Sequence, residues 1–143
     1  MAQNITRSIK KDEITQKWVL VDAAEVRIGK LATKIARLLM GKLNINDVDY
    51  LITGDKVIVI NALKLSYHKS KLISKLYPRH SGFPGGFKQL KFKDLIISNP
   101  EYIIKKSVWG MLPKNKKGRR ILSNLYIFNG PDHKFVAQNP IKV

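Results

Sequence analysis

Residues 18–61 decide the fold, because two apolar runs, WVLVDAA at 18–24 and KVIVIN at 56–61, flank the segment IGKLATKIARLL at 28–39. Short runs rich in β-branched residues are typical of strands in a parallel sheet, which are buried on both faces. We predict that both runs are strands of this kind. A strand, a helix and a second strand over this length of chain predict a parallel βαβ unit.

The segment between the two strands has the spacing of an amphipathic helix. Its apolar residues recur at three- and four-residue intervals: Ile28, Leu31, Ala32, Ile35, Ala36 and Leu39. Gly41 follows as a plausible C-terminal stop. The opposite face carries Lys30, Lys34 and Arg37 without a neighbouring acid. We predict that these three cations bind RNA, although a solvated basic face explains them about equally well.

The remaining pattern completes an α/β fold. We predict further strands at 63–67 and 124–130, a helix at 92–97, a helix that begins at Asn99-Pro100-Glu101, and a helical turn at 120–123. The expected architecture is a single compact domain with a small, mainly parallel four-stranded sheet, flanking helices and long basic loops. Residues 1–16 are expected to be a flexible extension, and residues 17–143 to be one RNA-binding domain with a short C-terminal tail.

The charge balance identifies the class of partner. The 143 residues include 27 Lys and Arg against 10 Asp and Glu, a formal net charge of +17, while 44% of residues are hydrophobic. Such a chain can build a core, but its positive charges repel one another, so we expect it to bind an anionic partner. Nucleic acid is the first candidate, and an acidic membrane surface is the second. The lack of cysteine excludes a disulfide scaffold and a cysteine-ligated zinc site. We expect a cytoplasmic protein without a membrane span, and an organellar location stays open.

The most basic segment is GMLPKNKKGRR at 110–120. Its five cations lie within seven positions, and no acid occurs between Glu101 and Asp132. We interpret Gly118 as a residue that permits a backbone turn. A phosphate backbone would relieve the mutual repulsion of the cations, whereas the alternative is a solvated basic turn. The RNA-binding candidates here are Lys114, Lys116, Lys117, Arg119 and Arg120.

A second basic region extends from 56 to 93, where nine cations occur without an acid. Within it, the stretch KLYPRHSGFPGGFK at 75–88 interleaves aromatic residues with cations, a composition that suits unstacked bases and phosphates. The aromatic side chains could instead anchor a loop, and we expect at least one of Tyr77, Phe83 and Phe87 to do so. The RNA-binding candidates here are Lys69, Lys71, Lys75, Tyr77, Arg79, His80 and Lys88, and His133 is added from the tail.

The sequence offers little for catalysis. His68, His80 and His133 match no ligand or nucleophile motif, and no phosphate-binding glycine pattern occurs. The carboxylates Asp47, Asp49 and Asp55 would have to converge for a metal-dependent nuclease. We therefore expect no enzyme, no cofactor, no metal and no small-molecule substrate.

The order of several motifs carries a family resemblance. WVLVDA, IGKLATKIARLLMGK, TGDKVIVINALK, KLYPRHSGFPGGFK, GMLPKNKKGRR and the terminal AQNP follow one another over nearly the whole chain. In this order they resemble the bacterial type of the thirteenth large-subunit ribosomal protein family. The resemblance implies a structural component that binds large-subunit rRNA, lies beside other large-subunit proteins and joins early in subunit assembly.

The resemblance also bears on particular residues. It implies rRNA contacts on the YPRHSGFPGG and GMLPKNKKGRR segments and at Lys30, where the family usually has Arg. Two departures are the stretch 66–71, where a Thr-Gly-x-Lys turn is common, and Trp109, where Lys is often found. A free-standing RNA-binding or regulatory protein remains the alternative, because both functions require the same cations.

Overall fold

The computed structural model describes residues 10–44, 48 and 50–143. In chain order these residues form β1 (Trp18–Asp22), α1 (Ile28–Met40), β2 (Lys56–Ile60), α2 (Ser70–Ser74), β3 (Leu76–His80), β4 (Phe87–Lys91), α3 (Phe92–Ser98), α4 (Pro100–Met111), α5 (Lys116–Leu122), β5 (Leu125–Ile127) and β6 (Ile141–Lys142). Three short 3-10 turns at Lys11–Glu13, Ala62–Lys64 and Val136–Gln138 complete the described elements.

The central sheet has four strands in the order β5-β2-β1-β6, and every pairing in it is parallel. In β1 and β2, Val19 lies opposite Val57 and Val21 lies opposite Val59. Because α1 connects these two neighbouring parallel strands, the predicted βαβ unit is present. The α/β class and the parallel four-stranded sheet expected from the sequence are confirmed.

One strand of the sheet differs from the prediction. Residues 63–67 do not form a strand, because Asn61 adopts a left-handed conformation (φ 58°) and turns the chain into the 3-10 turn that follows. Only an isolated bridge between Arg27 and Ser66 remains there. The fourth strand is instead β6 in the tail, which pairs with β1.

The two faces of the sheet are covered differently. Val19, Val21, Val57 and Val59 point to one face and join a core cluster with the apolar residues of the helices, Phe92 among them. On the other face, Trp18 packs against Tyr126 and Phe135 at ring-centroid distances of 5.6 and 4.9 Å. The prediction that β1 is buried on both faces is therefore wrong: its burial alternates, whereas Val57 to Val59 in β2 are completely buried. On this second face the aromatic rings leave Trp18 and Leu20 of β1 half-buried, whereas Ile58 of β2 is fully buried.

Helix α1 forms as its periodicity predicts. All six apolar residues of the predicted stripe are buried. The last residue of the helix is Met40, and Gly41 caps it with a left-handed φ of 78°. Gly41 lies against Thr53 and Gly54. A side chain at Gly41 would approach Thr53 Oγ1 within 2.5 Å, so both the conformation and the space favour glycine.

The region expected to be a long loop contains an antiparallel hairpin, formed by β3 and β4. Tyr77 is its anchor: the ring is 8% exposed and packs on Phe92 and Tyr102 at centroid distances of 6.4 and 6.2 Å. The prediction that at least one aromatic residue anchors this stretch is confirmed. The sequence concealed the strands because every residue of β4 is exposed, so the alternation of a half-buried strand is lacking.

Helices α3, α4 and α5 follow one another with short connections. Asn99 caps α4, since its Oδ1 accepts a hydrogen bond of 3.0 Å from the Tyr102 N–H, and Pro100 occupies the first turn as predicted. Asn115 caps α5 in the same way, accepting from the Gly118 N–H at 2.8 Å. Seven of the eleven residues of the basic segment are helical, because 110 and 111 end α4 and 116–120 begin α5. This corrects the interpretation of Gly118 as a turn residue. Gly118 is buried, and a Cβ there would lie 1.8 Å from the Pro113 carbonyl oxygen.

The N-terminal region is described in part. The Gln16 side chain donates to the Ile52 carbonyl, and the Lys17 N–H donates to Asp55 Oδ1, which attaches the start of β1 to the segment before β2. Residues 1–9 of the predicted extension lie outside the described residues, and its boundary at residue 16 remains a prediction. Within the described part of the chain, no helix has the length and apolar character needed to cross a membrane.

Candidate nucleic-acid interface

The β3–β4 hairpin presents a basic and aromatic surface. Phe83 and Phe87 are 74% and 57% exposed, and Arg79 and Lys88 are exposed beside them. Glycines with positive φ at 82 and 85 shape the tip, where the Gly82 N–H donates to His80 Nδ1 at 2.9 Å. Tyr77, by contrast, is buried, so its ring is not a stacking surface and its contribution is to hold the hairpin.

Two like charges face each other across this hairpin. Arg79 of β3 lies directly opposite Lys88 of β4 in the antiparallel register. Directly opposed like charges on one face of a sheet are destabilising, and an anion that lies between or over them removes the repulsion. This pairing is the clearest local indication that the hairpin meets a polyanion.

Three lysines lie at the approach to the hairpin. Lys69 and Lys71 flank the start of α2, and Lys75 follows it, with its ammonium 5.7 Å from the centre of the Tyr77 ring. All three are exposed. The divergent stretch 66–71 is ordered by His68, whose Nδ1 accepts from the Ser70 N–H at 3.3 Å and lies 2.7 Å from Ser70 Oγ.

The cations of the GMLPKNKKGRR segment have different surroundings. Lys116, Arg119 and Arg120 are exposed on α5. Lys117 is half-buried, and its ammonium donates to the Val48 carbonyl at 3.2 Å. Lys114 donates to the Trp109 carbonyl and lies 4.4 Å above the centre of the Trp109 ring. Lys114 and Lys117 therefore also contribute to the local structure.

The basic face of α1 forms a separate shallow groove. Lys30, Lys34 and Arg37 are exposed at three- and four-residue spacing, with Leu38, Leu43 and Val143 at their side, around a cavity of 370 Å³. Three exposed cations on one helix face, with no acid among the residues that line the groove, are suited to contact the phosphates of a nucleic acid.

A groove between α4 and α5 was missed by the sequence reasoning. It has a volume of 230 Å³ and is lined by Tyr102, Lys105, Lys106, Trp109, Arg119 and Leu122. We call it the α4–α5 groove. Tyr102 also contacts Tyr77, so the groove adjoins the root of the hairpin. The available signals were the acid-free run from Glu101 to Asp132 and the unusual Trp109, but only the packing of two helices shows that these residues share a surface.

The remaining candidates include His133 in the tail. It is half-buried, its Nδ1 accepts from the Phe135 N–H at 3.3 Å, and its ring lies 6.4 Å from that of Phe128. His133 thus belongs to the aromatic side of the sheet.

The carboxylates considered for a nuclease are only partly described. Asp47 and Asp49 lie outside the described residues, and the Asp55 carboxylate accepts the backbone N–H of Lys17. Among residues that the structure describes, no group of three or more His, Cys, Asp or Glu is placed to hold a metal ion.

One acidic side chain has a clear structural environment. Asp22, at the end of β1, accepts hydrogen bonds of 2.9 Å from the Asn61 side chain and from the Ala24 N–H. These two bonds lower the pKa of Asp22 below its usual value of 3.8, and nearby Lys142 and Lys64 act in the same direction. Asp22 therefore links the ends of β1 and β2.

A small α/β domain with exposed cations on a hairpin and on two helices defines a class: a basic protein whose surface is suited to RNA. A family model, ribosomal protein L13, matches residues 16–134, and the chain belongs to that family.

Relatives are similar over most of their length. A "Large ribosomal subunit protein uL13" of Geobacter sulfurreducens is 45% identical over 135 residues, which cover 94% of each chain. Proteins of the same name from Thermotoga petrophila and a Thermoanaerobacter species are 44% and 42% identical, over 94% of this chain and 91% and 94% of theirs.

Proposed function

We propose that this chain is a structural constituent of the large ribosomal subunit that binds and stabilises folded large-subunit rRNA. Its role is in translation and in subunit assembly, and it is not an enzyme. It is part of cytoplasmic ribosomes, where it lies beside other large-subunit proteins. The observation that carries the proposal is membership of the L13 family over residues 16–134. The assignment to the large subunit rests on the name of the relatives, which are large ribosomal subunit proteins.

The physical role follows from the distribution of charge. A net charge of +17 on 143 residues destabilises the isolated domain and is offset when phosphates lie against it. Cations on α1, on the hairpin and on α5 can neutralise phosphates of rRNA segments that would otherwise repel each other. The compact core fixes the positions of α1 and α5, and Tyr77 attaches the hairpin to that core, so the protein can favour one arrangement of the RNA.

The proposed contacts are assigned by exposure and role. Exposed cations and the half-buried Lys117 bind phosphate. His80 at the hairpin tip and His133 in the tail add polar contacts. Tyr77 acts indirectly, since its buried ring holds the hairpin in place. The cations assigned to phosphate are Lys30, Lys34, Arg37, Lys69, Lys71, Lys75, Arg79, Lys88, Lys114, Lys116, Lys117, Arg119 and Arg120.

Sedimentation of a cell lysate tests the proposal. An epitope-tagged chain should co-sediment with large subunits in a sucrose gradient, and should stay with them when low magnesium dissociates the ribosomes. A chain found only in the light fractions at both magnesium concentrations would contradict the proposal and would favour a free-standing RNA-binding protein.

A second experiment tests for nuclease activity. Large-subunit rRNA should stay intact when it is incubated with the purified chain and magnesium, whereas cleavage would favour a nuclease.

A further inference from the structure

The α4–α5 groove has a lining that phosphate binding alone does not require. Tyr102, Trp109 and Leu122 supply an almost entirely apolar lining, while Lys105, Lys106 and Arg119 carry the charge at the groove. A volume of 230 Å³ lies below the range of about 300–1,000 Å³ typical of sites for whole small ligands. The groove is therefore suited to one planar group rather than to a complete cofactor.

The charges around the groove favour an anionic occupant. Its lining contains three cations and no acid. Lys114 adds a fourth cation, because its ammonium lies above the Trp109 ring. Glu101, the acid on α4, lines a neighbouring cavity with Tyr102 and Lys105. An apolar side chain from another protein would fill the groove but would leave these cations unpaired.

The aromatic side chains are held in place before any ligand arrives. Trp109 is half-buried and packs on the core, and Lys114 is bound to its carbonyl. Tyr102 contacts the buried Tyr77, and its backbone N–H is fixed by Asn99. Rigid rings beside cations are the arrangement by which proteins hold an unstacked base together with its phosphates.

We propose that the α4–α5 groove binds one unstacked nucleotide of rRNA. The base contacts the part of the Trp109 and Tyr102 rings that lines the groove, and Lys105, Lys106 and Arg119 bind the flanking phosphates. This inference rests on the proposed rRNA-binding function and adds to it a contact to a base at a defined place. Because the groove adjoins the hairpin root through Tyr102, the nucleotide would lie where the hairpin and α5 surfaces meet.

Tryptophan fluorescence provides a direct test. The chain has two tryptophans, and Trp18 lies on the aromatic side of the sheet against Tyr126 and Phe135. A Trp18→Phe chain should bind deproteinised large-subunit rRNA as the parent does. Its tryptophan fluorescence then reports only on Trp109. We expect rRNA to quench the Trp109 emission, because a base stacked on the indole is an efficient quencher.

Variants separate stacking from charge. Trp109→Leu should weaken rRNA binding about 5- to 150-fold, the range for losing one stacked base, and leave the salt dependence unchanged. Trp109→Phe, which keeps a ring, should recover part of the loss. Replacing Lys105, Lys106 and Arg119 with Gln should instead make the fall of log affinity with log salt less steep, reducing the magnitude of the slope by about three. Thermal unfolding of each variant shows whether the domain still folds.

The outcomes distinguish the groove from the function as a whole. Full rRNA binding with unchanged Trp109 emission, and with Trp109→Leu equal to the parent, would overturn the groove proposal alone. Absence of any rRNA binding would overturn the proposed function and the groove with it. In intact large subunits, ultraviolet cross-linking should join the Trp109 peptide to a nucleotide. A cross-link to another protein would show that a protein segment fills the groove and would overturn the proposal.

Discussion

Asp22 links the carboxyl ends of β1 and β2 through the Asn61 side chain, and its lowered pKa predicts a pH effect. Since hydrogen bonds favour the carboxylate in the folded state, their contribution to stability is present above the usual pKa of 3.8 and is lost as the pH falls through the lower, folded value. We expect the stability advantage of the parent over Asp22→Asn to shrink as the pH falls below that usual value. Urea unfolding at several pH values measures it. A constant difference would contradict the assigned cause.

The opposed pair Arg79 and Lys88 predicts opposite effects on folding and on binding. Lys88→Glu replaces a repulsion by an attraction across the hairpin and should stabilise the free protein by roughly 0.2–1 kcal/mol. The same change should weaken rRNA binding, because it puts an acid at the interface. Thermal unfolding and filter binding measure the two effects. Lys88→Gln is the control, and a Lys88→Glu chain that binds rRNA like the parent would remove the hairpin from the interface.

The two glycines of the α4–α5 region form a matched pair at the scale of the elements. Gly118 meets the Pro113 carbonyl, whereas Gly110, near the end of α4, has nothing within 4 Å of the position that a methyl group would occupy. Gly118→Ala should cost about 1–3 kcal/mol or more by overpacking, since α5 must move away from Pro113. Gly110→Ala should stabilise by roughly 0.5–1 kcal/mol through helix propensity. Chemical denaturation of both variants measures the two changes in the free energy of unfolding. Equal changes would contradict the packing at Gly118.

The hairpin is the element whose order should depend most on a partner. Only Tyr77 among its strand residues is buried, and an isolated two-stranded hairpin is marginally stable in water. Amide hydrogen exchange in 76–91 should be fast in the free chain and slow strongly on rRNA binding, while β2 should be protected in both states. Fast exchange that persists in the complex would show that the hairpin does not contact RNA.

The whole molecule should bind rRNA with steep salt dependence. Even six to ten phosphate contacts, fewer than the cations assigned to phosphate above, would cost roughly 10³–10⁵ in affinity between about 50 and 200 mM salt. Changing Lys30, Lys34 and Arg37 to Ala should reduce the logarithmic slope by about three if α1 contacts phosphate. A control that changes the exposed Lys10, Lys17 and Lys134 lowers net charge equally, from +17 to +14 (17 − 3), but removes no proposed contact. Equal slopes for the two triple variants would mean that the α1 face is merely solvated.

Much of this protein is determined by the sequence alone, because the deciding signals are local. The apolar period of 28–39 determines α1 and its buried face, and β-branched runs determine β1 and β2. Asn99 and Pro100 determine the start of α4, since a cap acts on the adjacent backbone. The order of the motifs was sufficient to identify the family, which the match over 16–134 confirms.

Tertiary structure decided the features that depend on residues far apart in the chain. Two-residue β6 carries no periodicity and exists because β1 offers an open edge. The hairpin lacks an alternating pattern because β4 is exposed, and it forms where Tyr77 reaches Phe92 and Tyr102. Trp109 and Arg119 share a groove only because α4 and α5 pack together. Lys117 meets the carbonyl of Val48, which lies 69 residues earlier in the chain. Composition can show that cations are abundant, but only packing determines which of them stabilise the fold and which face a partner.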